Sequence, residues 1–347
     1  MADRPPEEHG IEIRGLSKIF GRHPERIVPL LRRGASKQEI MEVHGHVLGL
    51  NDINIAMPAG RIQVIMGLSG SGKSTLIRHI NRLIDPSTGE VVVAGVDVCR
   101  MSPGELREFR RHKTAMVFQQ FGLLPHRNVL DNAVYGLKLQ GVPRARQVEA
   151  ARHWLGRVGL AGFEAHYPHQ LSGGMRQRVG LARALVNDAP ILLMDEAFSA
   201  LDPLIRVDMQ SILLDLQKEI RKTIVFITHD LDEALRLGDR IAILRDGEVV
   251  QQGTGQEIVL SPADEYISNF VRHVNRGKVI RIETVMDAEP AAGGCAEGLE
   301  LSRGTLLENA VSALLSSGRE HVVVTDERGG RVGSLTLSQL VSAMVAP

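Results

Sequence analysis

The sequence predicts an α/β fold built on a mainly parallel sheet, followed by a small α+β domain. Short apolar runs typical of strands recur between residues 11 and 244, and helical segments separate the later runs. One run leads directly into a glycine-rich loop, 67–74, in the strand–loop–helix order of phosphate-binding loops. The composition then changes beyond Arg276. Strands separated by helices favour parallel pairing, because each crossover helix returns the chain to the same end of the sheet.

The composition is that of a globular protein with room for two or three domains: 347 residues, of which 43% are hydrophobic. Basic and acidic residues number 41 each, and this zero net charge argues against a nucleic-acid partner. The two cysteines, Cys99 and Cys295, lack metal-ligand spacing and favour a reducing compartment. The first residues do not form a signal peptide and no run of 18 apolar residues occurs. We therefore expect any membrane role to depend on a partner protein.

The first hundred residues contain four strand-like runs and one long connection. About thirty residues, 21–50, separate the first two runs. Within this insert, Ser36 and Glu39 have the spacing of a capping box, which predicts a short helix at 37–43. The insert is either a functional addition or a tolerated surface loop, since loops accept insertions at little free-energy cost. The predicted strands are Ile11–Arg14, Ile53–Met57, Ile62–Met66 and Val91–Val93.

The glycine-rich loop reads Gly-Leu-Ser-Gly-Ser-Gly-Lys-Ser and predicts a nucleotide site. Its glycines let successive backbone N–H groups point toward one phosphate, and the helix beginning near Lys73 adds its partial positive end. Lys73 is suited to the β- and γ-phosphates, and the Ser74 hydroxyl to Mg²⁺. Thr75 is placed to support an α-phosphate contact. The residues expected to line the nucleotide are Gly67, Ser69, Gly70, Ser71, Gly72, Lys73, Ser74 and Thr75.

A helical subdomain is predicted at about 101–186. It contains the sequence Leu-Ser-Gly-Gly-Met at 171–175, which precedes a helix. Ser172, Gly173 and Gly174 there form an anion site, because the first N–H groups of a helix have no partners within it. A chain with two phosphate-contacting surfaces is expected to work as a dimer. The predicted helical segments are 103–112, 144–158 and 176–186.

The later strands supply the second half of the predicted active site. Asp195 ends the apolar strand 191–194, where a carboxylate can hold Mg²⁺ through a water, and Glu196 beside it is our candidate general base. His229 follows the strand 224–227, at the end where ligands collect in open α/β sheets. It is expected to contact the γ-phosphate and position the attacking water; the alternative is a purely structural histidine. A further strand, 241–244, and a helix, 204–221, complete the predicted core.

These motifs, in this order, make residues 11–255 resemble the ATP-binding cassette (ABC) ATPases, which have a RecA-like core and a helical subdomain. The resemblance implies ATP and Mg²⁺ as ligands and a head-to-tail homodimer. In such a dimer, Ser172 and Gly174 contact the γ-phosphate of the nucleotide bound by the partner's phosphate loop. Asp202, in the sequence Ser-Ala-Leu-Asp, carries contacts across the same dimer.

The resemblance also assigns two residues outside these motifs. Gln119 in Val-Phe-Gln-Gln-Phe links Mg²⁺ to the helical subdomain, with Gln120 as the alternative. Phe20 matches the aromatic position that stacks on adenine; the alternative is a core aromatic at a strand end. The apolar residues of 121–125 correspond to a segment that faces a permease, or else they pack in the core of the helical subdomain.

The insert 21–50 and the sequences Asn-Arg-Leu-Ile-Asp-Pro at 81–86 and Asp-Leu-Asp-Glu-Ala at 230–234 are similar to the glycine betaine/proline importer ATPases. This similarity implies an ATPase at the cytoplasmic face of the membrane. It would drive a permease that is fed by a periplasmic or extracellular substrate-binding protein. The expected cargo is a quaternary amine or related osmolyte, with proline or histidine import as the alternative. A non-transport ABC ATPase is the remaining alternative, although such proteins usually carry two cassettes or a long coiled coil.

The C-terminal segment, 276–347, resembles a single CBS motif and is expected to follow an ATPase domain at 1–275. About 70 residues are few for an independent core, so we expect the two tails of a dimer to pair. The chain ends without an acidic run, which does not favour ionic-strength sensing. Gly293 and Gly294 are expected to be a flexible point. The predicted elements are a helix at 305–317, a strand at 321–326, a turn at 328–330, a strand at 332–336 and a helix at 337–344.

Overall fold

The computed structural model describes residues 10–119, 121–288 and 298–345, so Gln120, Gly293, Gly294 and Cys295 lie outside it. The chain divides into two compact units after Gln252. The strands are β1 (Ile11–Phe20), β2 (Val47–Met57), β3 (Ile62–Met66), β4 (Thr88–Val93), β5 (Val96–Asp97), β6 (Thr114–Val117), β7 (Ile191–Asp195), β8 (Thr223–Thr228), β9 (Arg240–Arg245), β10 (Glu248–Gly253), β11 (Asp287–Ala288), β12 (Leu299–Ser302), β13 (His321–Thr325) and β14 (Arg331–Thr336).

The described residues form both α-helices and short 3₁₀ helices. The α-helices are α1 (Val28–Arg32), α2 (Lys37–Glu42), α3 (Lys73–Ile80), α4 (Pro103–His112), α5 (Val129–Ala133), α6 (Tyr135–Leu139), α7 (Arg144–Arg157), α8 (Gly173–Val186), α9 (Pro203–Ile220), α10 (Leu231–Leu237), α11 (Gly255–Leu260), α12 (Glu265–Val271), α13 (Leu307–Ser317) and α14 (Leu337–Val345). The 3₁₀ helices are Pro24–Arg26, Val98–Arg100, Pro168–Gln170, Arg276–Lys278 and Ile282–Thr284.

A mainly parallel sheet forms the centre of the first unit, in the order β10-β9-β3-β8-β7-β6. Strand β3 pairs in parallel with β8 and β9, and β7 pairs in parallel with β6 and β8. Every residue of β3, β7 and β8 is buried, which explains why these strands read as continuous apolar runs. Parallel pairing brings the carboxyl ends of β3, β7 and β8 to one edge, so the segments after Met66, Asp195 and Thr228 meet there.

A separate antiparallel sheet, in the order β2-β1-β4-β5, packs over the parallel one. Ile11 and Ile13 of β1 lie opposite Met57 and Ile55 of β2, and all four side chains are buried. They share one apolar core with the parallel sheet and with α3. Both β1 and β2 extend beyond their predicted bounds, because their outer ends pair with each other and frame the insert.

The helical subdomain starts later than the expected 101–186. Residues 114–117 form β6, which pairs with β7 at the edge of the parallel sheet. Four residues are too few to show a strand period among helical neighbours. Helix α8 packs against α5, α6 and α7 to make the subdomain itself.

The insert is folded and has its own small core. The Ser36 hydroxyl accepts a hydrogen bond from the Glu39 backbone N–H at 3.1 Å, which caps α2 and forms one half of the predicted capping box. Ile40 of α2 is fully buried against Ile19 at the end of β1 and Leu48 at the start of β2. Apolar contacts of this kind hold the segment to the ends of β1 and β2.

The second unit contains a four-stranded sheet in the order β11-β14-β13-β12. Strands β12 and β13 are parallel, whereas β13 and β14 are antiparallel. Buried residues of α13 and α14, including Leu307 and Leu340, close its core. The unit begins at Gly253, earlier than the expected boundary at 276. Gln256 on α11 explains part of this difference, because its side-chain oxygen accepts hydrogen bonds from the Arg281 N–H and the Thr284 hydroxyl, both at 2.8 Å.

Candidate functional site

The phosphate loop connects β3 to α3 and lies at the carboxyl edge of the parallel sheet. Gly72 has a φ of +102°, in the left-handed region that side chains disfavour. A Cβ added to Gly67 would lie 2.3 Å from the carbonyl oxygen of Leu244, so only glycine fits there. The Ser71 hydroxyl is buried and has no hydrogen-bond partner among the described residues. The loop is thus closely packed and retains a polar group available to a ligand.

Lys73 begins α3, and only 4% of its side chain is exposed. Its ammonium donates hydrogen bonds to the carbonyl oxygens of Gly67 at 2.7 Å and Leu68 at 2.9 Å. Burial lowers the pKa of Lys73, while the carboxylates of Glu196 and Asp195 oppose that shift. The lysine therefore lies folded against the mouth of the loop, close to the carboxylate of Glu196.

The side-chain oxygens of Ser74 and Asp195 lie close together beside the phosphate loop and are of the kind that binds hard metal ions. The Ser74 hydroxyl donates to Asp195 Oδ1 at 2.7 Å, and Arg78 donates to Asp195 Oδ2 at 3.3 Å. A hydroxyl and a carboxylate fit Mg²⁺, which takes one or two protein ligands and completes its shell with phosphate oxygens and water. Among the described residues, no group of three or more His, Cys, Asp or Glu side chains could hold a metal by itself. The donors present therefore fit a metal that arrives with a phosphate ligand.

Glu196 is the meeting point of the predicted catalytic residues. Gln119 donates to Glu196 Oε2 at 2.9 Å, and His229 Nδ1 lies 3.7 Å from Glu196 Oε1. The Lys73 ammonium is 3.8 Å from the same Oε1 atom. Glu196 has a φ of +45°, an unusual backbone conformation for a residue with a side chain. The Ser199 hydroxyl stabilises it by donating to the Glu196 carbonyl oxygen at 2.9 Å.

The second predicted phosphate surface is separate from the first. Ser172 caps α8 by accepting a hydrogen bond from the Met175 N–H at 3.2 Å, and its side chain is exposed. Gly174 is buried, and a Cβ there would lie 2.8 Å from Ile205 Cγ2. Within the described part of the chain, no hydrogen bond joins Ser172, Gly173 or Gly174 to the phosphate loop. Asp202 is also exposed, at the N-terminal end of α9.

Phe20 ends β1 and is not a core residue, because 39% of it is exposed. Its ring lies against Gly49 of β2, where an added Cβ would be 2.6 Å from Phe20 Cε2. The Lys18 ammonium is 5.2 Å from the ring centroid. Gly49 also borders the phosphate loop, since a Cβ on Gly72 would lie 2.8 Å from the Gly49 carbonyl oxygen. Gly49 therefore lies next to both the exposed Phe20 ring and the phosphate loop.

Residues 121–125 are half-buried, which is intermediate between the two predicted alternatives, a segment that faces a permease and a segment packed in the core of the helical subdomain. Phe121, Leu123 and Leu124 are partly covered and Pro125 is exposed. Arg183 of α8 donates to the carbonyl oxygen of Gly122 at 2.7 Å, which fixes this segment to the helix that begins at Ser172.

Sequence reasoning missed Arg78, which contacts Asp195, and Gly247, whose N–H donates to the Ser71 carbonyl oxygen at 3.1 Å. The signal for Arg78 was its spacing, since it lies four residues after Ser74 on the predicted helix. Gly247 had no such signal, because it enters the site through the pairing of β9 with β3.

Comparison with known proteins agrees with this geometry. A family model described as ABC transporter matches residues 50–199. The glycine betaine/proline betaine transport system ATP-binding protein ProV of Escherichia coli (strain K12) is 48% identical over 335 residues, 96% of this chain and 82% of that relative. The chain belongs to the ATP-binding proteins of glycine betaine-type ABC transporters. A second relative in this family, the trimethylamine N-oxide transport system ATP-binding protein TmoW of Pelagibacter ubique (strain HTCC1062), is 41% identical and covers 95% of this chain and 96% of its own length.

Solved structures show the same ABC ATPase fold. A dimeric ATP-binding cassette in a post-hydrolysis state, bound to ADP and Pi, matches with a TM-score of 0.60 and 32% identity. The match covers 71% of this chain and 98% of that cassette. No helix among the described residues is both long and apolar enough to span a bilayer.

Proposed function

We propose that this chain is the ATP-hydrolysing subunit that energises import of a quaternary amine or related osmolyte through a separate permease. Glycine betaine, proline betaine, choline and trimethylamine N-oxide are the substrates of this class. The names of the two relatives, which refer to transport of glycine betaine, proline betaine and trimethylamine N-oxide, support this choice. Import of proline or histidine is the alternative within the same mechanism.

The observation that carries the proposal is the convergence of Lys73, Gln119 and His229 on Glu196. Lys73 and the loop N–H groups bind the β- and γ-phosphates of ATP, once Lys73 leaves the carbonyl oxygens that it now contacts. Glu196 accepts a proton from the attacking water. His229 and Gln119 hold that water and the γ-phosphate in line with Glu196.

Ser74 and Asp195 would hold Mg²⁺, Ser74 directly and Asp195 through a water, with Gln119 as a further ligand. The Ser74 hydroxyl and the Asp195 carboxylate already lie 2.7 Å apart. Mg²⁺, when bound, neutralises charge on the phosphate oxygens. Phe20 stacks on the adenine ring, which its exposed face at the end of β1 permits.

The working form is a head-to-tail homodimer in which Ser172, Gly173 and Gly174 complete the ATP site of the other copy. Ser172 is exposed at the N-terminus of α8, and among the described residues none of the three forms a hydrogen bond with its own phosphate loop. Asp202 lies beside this surface, and the next apolar side chain, Leu204, is 86% exposed. Val207, one turn further along α9, is 48% exposed, and neighbouring exposed apolar side chains are typical of a protein interface.

The subunit acts at the cytoplasmic face of the membrane, attached through the permease, which receives cargo from a substrate-binding protein. The segment after Gln119 is suited to the permease contact, since Pro125 is exposed and Phe121, Leu123 and Leu124 are only partly covered. Residues 276–347 act as a single CBS-like regulatory domain, and the tails of the two subunits pair. The order helix, strand, strand, helix of α13, β13, β14 and α14 supports this assignment.

ATP hydrolysis by the full-length chain and its Glu196→Gln variant tests the chemistry. The variant should bind ATP as the wild type does and lose about a thousandfold or more in turnover, because the glutamine amide cannot accept the proton. Glu42→Gln, which removes an exposed carboxylate on α2, is the control. Turnover by Glu196→Gln close to that of the control would overturn the assignment.

Uptake in vesicles that contain the whole transporter tests the cargo. Radiolabelled glycine betaine should accumulate with ATP inside, and unlabelled proline betaine, choline, trimethylamine N-oxide, proline and histidine are added as competitors. Competition by the quaternary amines supports the proposal. Competition by proline or histidine alone would favour the alternative.

A further inference from the structure

Arg206 is a half-buried arginine in the first turn of α9, and it contacts two loops that meet at the candidate active site. Its guanidinium donates to Asp230 Oδ2 at 3.2 Å. It also donates to the carbonyl oxygens of Ser199 at 3.4 Å and Leu201 at 3.5 Å. Its backbone N–H donates to the carbonyl oxygen of Asp202 at 2.9 Å. Residues 199–202 are here called the Asp202 segment. One side chain thus ties Ser199 and Leu201 of this segment to the carboxylate of Asp230, which follows His229.

Each of the two loops is bonded or adjacent to a residue of the proposed chemistry. The Asp202 segment begins three residues after Glu196, and its Ser199 hydroxyl stabilises the left-handed backbone of Glu196. Asp230 follows His229, whose Nδ1 lies 3.7 Å from Glu196 Oε1. A displacement of either loop would therefore change the distance between His229 and Glu196.

Asp230 is fixed by hydrogen bonds on both sides, so a displacement of one of its partners would move Asp230 and the adjacent His229. Its Oδ1 accepts a hydrogen bond from the Glu233 N–H at 3.0 Å and caps α10, while its own N–H donates to the Thr228 hydroxyl at 3.0 Å. Its second carboxylate oxygen is the one that receives Arg206. The nearby Glu233 carboxyl is buried, and burial raises its pKa, so Asp230 is the carboxylate better suited to pair with Arg206.

We propose that Arg206 is a positioning residue that couples the Asp202 segment to His229, so that hydrolysis depends on where the Asp202 segment lies. This inference rests on the proposed roles of Glu196 and His229. Because Asp202 and Leu204 are exposed at the same end of α9, a second copy that contacts them would act on Arg206 directly. A charge-assisted hydrogen bond suits this task, since it is directional and loses strength steeply when its geometry is disturbed.

Steady-state ATP hydrolysis by full-length variants tests this role. Arg206→Met should lower kcat about tenfold or more with little change in the KM for ATP, because phosphate binding does not involve Arg206. Arg206→Lys keeps one charged donor and should recover part of kcat. Arg236→Met is the matched control. Arg236 also joins α10 to α9, through Gln210 at 3.0 Å and Ser211 at 2.9 Å, but among the described residues its side chain forms no hydrogen bond with either loop.

A double-mutant cycle with Asp230→Asn separates positioning from a general loss of structure. Asparagine keeps the helix cap but removes the charged partner of Arg206. If the pair acts as a unit, Arg206→Met combined with Asp230→Asn should be no slower than Arg206→Met alone. Thermal unfolding of each variant monitors the fold. If Arg206→Met does not fold, Arg206→Lys and Asp230→Asn carry the test, and both should lower kcat without raising KM.

Three results would overturn the inference: a kcat for Arg206→Met within twofold of the Arg236→Met control, a loss confined to KM, or effects of the two substitutions that multiply. The Glu196→Gln variant, assayed beside them, reports on the proposed function separately. An inactive Glu196→Gln with a fully active Arg206→Met would refute only the coupling. An active Glu196→Gln would refute the chemistry on which the coupling rests.

Discussion

Asn132 should be a main support of the segment between Gln119 and α5, although no sequence motif contains it. It lies on α5 and is fully buried. Its side-chain oxygen accepts from the Leu124 N–H at 2.8 Å. Its amide donates to the carbonyl oxygens of Leu124 at 3.1 Å, Arg127 at 2.9 Å and Asn128 at 3.0 Å. Replacing Asn132 by alanine removes all of these contacts at once.

The magnitude follows from counting the groups left without a partner. The Asn128 carbonyl oxygen still accepts from the Asn132 N–H, and the Leu124 carbonyl oxygen from the Arg127 N–H. The Leu124 N–H and the Arg127 carbonyl oxygen lose the Asn132 bonds described above. Each unsatisfied group costs about 1–3 kcal/mol, and water entering the cavity would recover part of that cost. Asn132→Ala should therefore lower the free energy of unfolding by about 2–4 kcal/mol.

Urea unfolding of the full-length chain, followed by circular dichroism, measures this loss. Asn54→Ala is the control, because Asn54 also bonds to backbone groups, Gly15 N–H and the Asp52 carbonyl oxygen, but is exposed. Its loss should stay below about 1 kcal/mol, since water replaces the bonds. Equal losses for the two variants would show that burial does not set the cost and would refute the reasoning.

Three further outcomes are expected. Lys73→Ala should weaken binding of a fluorescent ATP analogue by about 10- to 100-fold, since charge-assisted bonds to the phosphates are lost. Lys218→Ala, a change on the exposed face of α9, should leave the affinity unchanged. Equal affinities of the two variants would contradict the phosphate role of Lys73. Phe20→Ala should lower ATP affinity by about five- to 100-fold through lost stacking, and Phe20→Trp should keep the wild-type affinity. An unchanged affinity of the alanine variant would exclude the adenine contact. Burial lowers the pKa of His79 from 6.5 to about 4, so the unfolded chain binds a proton in this pH range that the folded chain does not. The free energy of unfolding should fall as the pH drops from 6.5 to 4, by up to about 3 kcal/mol from this group, and His79→Gln should show a shallower slope; identical slopes would contradict the shift.

The central strands β3, β7 and β8 could be predicted closely because they are short, fully buried and bounded by distinct motifs. Strand β3 matches its predicted bounds, and β7 and β8 differ by one residue at their ends. The strand at Thr114–Val117 could not be predicted, since it depends on pairing with β7 rather than on its own period. The early start of the second unit likewise depends on long-range bonds of Gln256, which leave no local pattern.

Some residues of the candidate site could likewise be predicted from the sequence, and others could not. Lys73, Ser74, Asp195, Glu196 and His229 could be proposed from the sequence because each belongs to a short motif or directly follows an apolar strand. Arg78, Arg206 and Asn132 belong to no such motif. Their roles depend on which loop lies opposite their side chains, and only packing decides that.

By itself, the sequence determined the class of the protein, because a phosphate loop and a helix that begins Ser-Gly-Gly carry their chemistry in local residue order. It also determined the strand–helix alternation that makes a parallel sheet, through the spacing of apolar residues. The tertiary structure alone decided how these pieces meet. Parallel pairing of β3, β7 and β8 brings Lys73 within 3.8 Å and His229 within 3.7 Å of the Glu196 carboxylate. These residues lie 33 to 123 positions from Glu196 along the chain, counting 229 − 196 and 196 − 73. No local rule specifies a contact across such a separation, since the packing of the whole core determines it.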